Sequence, residues 1–126
     1  MSFSIDSYFT NFFGNSAKLA NNSESVNKNQ NIGEIYVYTI TIGKLVVLQI
    51  SLEVIGNISA RTQLITNIPV KPPLVNNISA NFVNNSNLDK KIFSMDNYGS
   101  NGGVSLVNVE SLTPGSYRGA IAIITH

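Results

Sequence analysis

The chain has 126 residues, of which 43% are hydrophobic and 12% charged, with a net charge of +1 and no cysteine. That length makes one domain, able to bury about two-thirds of the surface its unfolded form exposes. Without cysteine there is no disulfide framework, thiolate nucleophile or thiolate-held metal, and with Lys90-Lys91 as the only adjacent basic pair nothing would neutralise a run of phosphates, so nucleic acid is not an expected partner.

Charged residues normally make up about a quarter of a soluble protein. Here Asn, Ser, Thr and Gln must supply the polar surface, and the weak self-repulsion suits a permanent oligomer. No apolar run approaches the ~20 residues of a membrane-spanning helix, so no membrane insertion is expected. The opening MSFSIDSYFTNFF lacks the basic-then-apolar pattern of a secretion signal. Asn-x-Ser triplets begin at Asn21, Asn57, Asn77 and Asn84, and in a chain so rich in both residues they read as coincidence.

Residues 4–13 predict a short helix. Ile5, Phe9, Phe12 and Phe13 fall on one stripe, Ser4 caps the start, Asp6 suits the positive end of the dipole, and Gly14-Asn15 suits a left-handed stop. A helix of about ten residues is marginal alone in water. It therefore lies either on its own domain or on other copies and a larger assembly. Residues 15–33 are amide-rich and weakly apolar and read as a linker, which divides the chain into an attachment segment, 1–31, and a domain, 32–126.

The predicted strands follow. Residues 34–42, EIYVYTITI, are apolar on both faces, and Gly43 turns them into 44–54, KLVVLQISLEV. There Val46, Leu48, Ile50, Leu52 and Val54 alternate with Val47, Gln49, Ser51 and Glu53, a period of two over one apolar row. This is the strand the others are expected to pack against. Gly56-Asn57 turns the chain into a more polar strand, 59–67, and Pro69, Pro72 and Pro73 then exclude a central strand. Further strands are predicted at 78–83, 90–96, 104–110 and 116–125. They are separated by the loop Asn84-Asn85-Ser86-Asn87-Leu88-Asp89, the Gly-rich turn at 97–103, and Thr113-Pro114-Gly115. About eight short strands with no helix between them predict an all-β fold, an antiparallel, jelly-roll-like β-sandwich preceded by the short N-terminal helix.

Chemistry is sparse. Asp6, Glu24, Glu34, Glu53, Asp89, Asp96 and Glu110 form no local pair, and His126 is the sole imidazole. No catalytic residue, metal ligand or cofactor site is expected from this pattern. Phe82 and Phe93 alternate with polar neighbours and read as core, while Tyr36 and Tyr38 read as buried between subunits. Tyr98 lies in a turn with Asp96, Asn97 and Asn101, and an aromatic face beside amides and a carboxylate is the pattern that binds a sugar. Asn85, Asn87 and Asp89, with Asn84, form a second candidate loop, and Arg118 adds a guanidinium. The same amides and glycines are also ordinary turn formers.

The order of these pieces carries a resemblance. A Gly43-Lys44-Leu45-Val46-Val47 turn leads into the long alternating strand. A bend follows at Ile68-Pro69-Val70-Lys71-Pro72-Pro73, then the Gly-rich turn after Met95, and the chain closes on Tyr117-Arg118-Gly119-Ala120-Ile121-Ala122-Ile123-Ile124-Thr125. From Gly33 to His126 this resembles the C-terminal head domains of bacteriophage tail-fibre and baseplate receptor-binding proteins, especially of phages infecting Gram-positive bacteria. The resemblance implies a non-catalytic homotrimer in the virion, made in the bacterial cytoplasm and acting at the host surface. It also implies a host cell-wall saccharide as ligand, with residues 1–31 meeting other tail proteins. Two alternatives stand beside it: a structural baseplate or tail attachment protein that binds virion proteins, and a bacterial lectin-like domain.

Overall fold

The strand at the centre of the argument is present, and its apolar row is the wall of the core. The structure is a computed structural model describing residues 17–75, 78–96 and 104–125. Its strands are β1 Ala17–Asn21, β2 Asn27–Lys28, β3 Ile32–Ile42, β4 Leu45–Val54, β5 Gln63–Ile68, β6 Ile78–Asn84, β7 Lys90–Asp96, β8 Val104–Asn108 and β9 Gly115–Ile124. In β4, Val46, Leu48, Ile50, Leu52 and Val54 are all buried, as the alternation requires. Gly43, at φ 60°, supplies the left-handed residue that lets β3 fold back on β4.

All pairings are antiparallel and join in one sheet of order β1-β3-β4-β9-β6-β7-β8-β5-β2. The sheet curls into a half-barrel. Its logic is visible in the core. The inward row of β4 belongs to the same buried cluster as Leu64, Ile65 and Ile68 of β5 and Val104 and Leu106 of β8, strands far away in the sheet order. Only curling brings the two apolar faces together. The join is narrow. β4 and β9 pair along their whole length, from Leu45↔Ile124 to Val54↔Gly115, whereas β9 meets β6 only at Val83↔Arg118 and Asn84↔Tyr117.

Phe82 of β6 fills the corner at that join. Its ring stacks on Phe93 of β7 at 4.3 Å between centroids, and Tyr117 tilts against Phe93 at 6.1 Å. The join closes because β9 presents Gly119 to Phe82; a Cβ there would stand 2.4 Å from the ring. Tyr117 is buried, and its hydroxyl donates to the Thr113 carbonyl at 3.0 Å, so the ring carries its polar tip into the core satisfied.

Some expectations change. The helix expected at 4–13 lies outside the described residues, and among the described residues there is no helix. The segment read as a linker contains β1 and β2. β1 runs along β3 from Ala17↔Ile42 to Asn21↔Tyr38, so a boundary at residue 31 would cut one continuous sheet. Edge strands need backbone pairing more than an apolar row, and that pairing leaves no mark in an amide-rich composition. Within the single chain, Tyr36 and Tyr38 lie on the outer face at 49% and 37% exposure. The strands join in one curled antiparallel sheet where a two-layered sandwich was expected.

Candidate functional site

The outer face of β3, β4 and β9 carries the most chemistry. Opposed residues of an antiparallel ladder point to the same side, so the register gives this face row by row. Tyr36 lies across from Ser51, and Ser51 from Arg118; Tyr38 lies across from Gln49, and Gln49 from Ala120. Two phenol rings, a carboxamide, a hydroxyl and a guanidinium thus surround one shallow groove of about 590 Å³. Its floor is the backbone at Ile50 and Gly119, whose inward side meets the core. The strands beneath it pair continuously, and Phe82 lies behind β9 at Gly119.

A second, more polar cleft of about 650 Å³ adjoins it, and Tyr36 lines both. Asn21, Ser23, Glu24 and Glu34 border that cleft. The β1–β2 turn there is pinned. Asn21 Oδ1 accepts from the Ser23 hydroxyl at 2.6 Å and from the Ser23 N–H at 3.0 Å, and Ser23 Oγ accepts from the Val37 N–H at 2.9 Å. Lys28 Nζ donates to the Gly33 carbonyl at 2.7 Å, which draws its charge along the rim.

This arrangement can bind hydroxyl-rich, partly apolar ligands. Exposed ring faces stack on the C–H face of a sugar, while the carboxamide, hydroxyl and guanidinium offer donors and acceptors of fixed direction. No carboxylate or imidazole lines the groove, and among the described residues no group of three or more His, Asp or Glu stands close enough to hold a metal.

The residues singled out from sequence are dispersed. Arg118 is exposed in the groove. Asn85 lies close by, its N–H donating to the Ser116 carbonyl at 2.9 Å, two residues before Arg118 on β9. Asn85, Asn87 and Asp89 are exposed in the β6–β7 turn, and much of its amide chemistry builds the turn itself. Asn84 Oδ1 accepts from the Ser86 and Asn87 N–H groups at 2.8 and 3.4 Å, and Asn87 Oδ1 accepts from the Asp89 N–H at 3.0 Å. Asp96 is buried, at 3% exposure, and accepts from the Ser94 hydroxyl at 3.3 Å; by strand alternation it lies on the side of β7 opposite the core-facing Phe93 and Met95. Asn97, Tyr98 and Asn101 lie outside the described residues.

The 84–89 turn and Asp96 sit at opposite ends of one ladder. Val83↔Lys90 closes the end next to the 84–89 turn, and Ile78↔Met95 stands at the end where Asp96 emerges. Five strand steps of ~3.4 Å hold those ends roughly 17 Å apart, too far for one small site. Gln49 and Ser51 are the candidate residues of the groove that sequence reasoning passed over. Their signal was their place on the polar side of β4, but only the strand order sets them between the tyrosines and Arg118.

Compared with known proteins, the chain matches no protein-family model, and no curated protein matches it at a significant level.

Proposed function

We propose that this chain is a non-catalytic, saccharide-binding receptor-recognition domain of a bacteriophage tail or baseplate. The fold behind this reading is a jelly-roll-like sandwich, its two layers being the β1-β3-β4-β9 half and the β6-β7-β8-β5-β2 half of the curled sheet. Assembly is as a homotrimer, in keeping with the sparse charge and the exposed Ile55, Leu74 and Val75. One observation carries the function: Tyr36 and Tyr38 stand exposed over Gln49, Ser51 and Arg118 in one groove. Ring, amide and guanidinium together match a glycan surface of alternating C–H faces and hydroxyls.

The test is a glycan array of Gram-positive cell-wall saccharides probed with the full chain, followed by calorimetry on any saccharide that binds. Tyr36→Ala and Arg118→Ala are each expected to weaken binding at least about ten-fold, the loss typical of a central aromatic or arginine contact. Binding to no saccharide, or binding indifferent to both substitutions, overturns the reading.

A further inference from the structure

The outer face of the sheet is divided. Beyond the tyrosines its rows turn wholly apolar: Leu19–Ile40–Val47–Ala122, then Ala17–Ile42–Leu45–Ile124. These are side chains on the side of the sheet away from the core; Ala122 and Ile124 are exposed, Ala17 is buried and the other five are partly buried. A solvated face of an antiparallel sheet is normally polar, so something is expected to cover this half.

We propose that the cover is residues 4–13 of the same chain, lying as a helix across β1, β3, β4 and β9. Three independent features fit. The described chain starts at Ala17, in the outermost of the two apolar rows and on the edge strand of this face. Residues 14–16 therefore suffice to turn the preceding segment onto the sheet. That segment's sequence predicts an apolar stripe of its own in Ile5, Phe9, Phe12 and Phe13. The lengths also agree: ten helical residues span ~15 Å, and four adjacent strands span about 14 Å. The phenylalanines would meet Leu19, Ile40, Val47 and Ala122, and the groove bordered by Tyr36, Gln49 and Arg118 would stay open alongside. This docking is independent of the saccharide reading, and it leaves only the remaining apolar surface for contacts between copies.

The absence of cysteine makes the test direct. The full chain carrying Phe9→Cys and Val47→Cys is treated with a short bismaleimide, and the products are read by mass. The expected product is an internal link within one chain, formed at least ten times faster than in a Phe9→Cys, Leu88→Cys control, since Leu88 lies on the far turn. Links chiefly between chains would give the surface to a second copy and overturn the proposal. So would linkage no faster than the control. As a second reading, Phe9→Asp with Phe12→Asp in the full chain is expected to raise the fluorescence of a hydrophobic dye several-fold while β-sheet circular dichroism is kept. Unchanged dye binding with the sheet intact also overturns it. Saccharide binding measured on the same variants reports separately on the groove.

Discussion

Asn108 offers the sharpest test of how this fold is held. Its side chain, at the end of β8, is fully buried and makes three hydrogen bonds. Nδ2 donates to the Ser59 carbonyl at 2.8 Å and to the Glu110 carbonyl at 2.7 Å, and Oδ1 accepts from the Thr62 N–H at 2.9 Å. Its own carbonyl accepts from the Arg61 N–H at 2.8 Å. One amide therefore ties the β4–β5 connection, including Arg61 at φ 63°, to the opposite end of the core. Asn108→Ala removes the three side-chain bonds together. An orphaned buried partner costs about 1–3 kcal/mol, but Ser59 and Glu110 are exposed residues whose carbonyls water can reach. The expected loss is about 2–4 kcal/mol, or roughly 8–16 °C in Tm for a domain of this size. Urea unfolding should show the midpoint falling with m unchanged. A loss below about 0.5 kcal/mol, the range of an ordinary surface change, would refute the reasoning.

The companion substitution Asn108→Asp adds a sign. It keeps the acceptor for Thr62 but sets a second oxygen against two carbonyl oxygens in a buried site, so the folded state favours the protonated acid. Its pKa is raised above the unfolded value of ~3.9. Stability is then best below pH ~3.9, declines as pH rises through the raised folded value, and is flat above it. Asn108→Ala, titrated relative to the parent chain, should show no such slope.

Other expectations follow from the same contacts. Gly119→Ala drives a methyl into the Phe82 ring and should cost about 1–3 kcal/mol by overpacking, read by thermal melting. Phe82→Ala empties the corner of the sheet and breaks the stacked pair with Phe93, for an expected loss of about 3–5 kcal/mol in urea unfolding. Tyr117→Phe deletes only the bond to the Thr113 carbonyl and should cost about 1 kcal/mol, leaving the core otherwise intact. Leu88→Gly relieves a bulky exposed residue held at φ 61° and should be neutral or stabilising by up to about 1 kcal/mol, whereas the same change at a right-handed position would destabilise.

Local chemistry determined much of this protein. Alternation in residues 45–54 named the five inward side chains of β4, and the same period in β9 named Tyr117, Gly119, Ile121 and Ile123. Gly43, the Asn-rich turn at 84–89 and the prolines at 69–73 marked where strands end, because turn geometry and missing donors act over a few residues. The tertiary structure decided what lies beside what. Ser51 and Arg118 are distant in sequence, yet they are partners across β4 and β9, and that pairing makes the groove with Tyr36 and Tyr38. It also buried Asp96, set it and the 84–89 turn at opposite ends of one ladder, and enlisted an amide-rich stretch as β1. The reason is that a strand's own residues fix which of its faces is apolar, whereas its neighbour is chosen by backbone hydrogen bonds common to every residue, so the choice is made only when the whole sheet curls to bury its core.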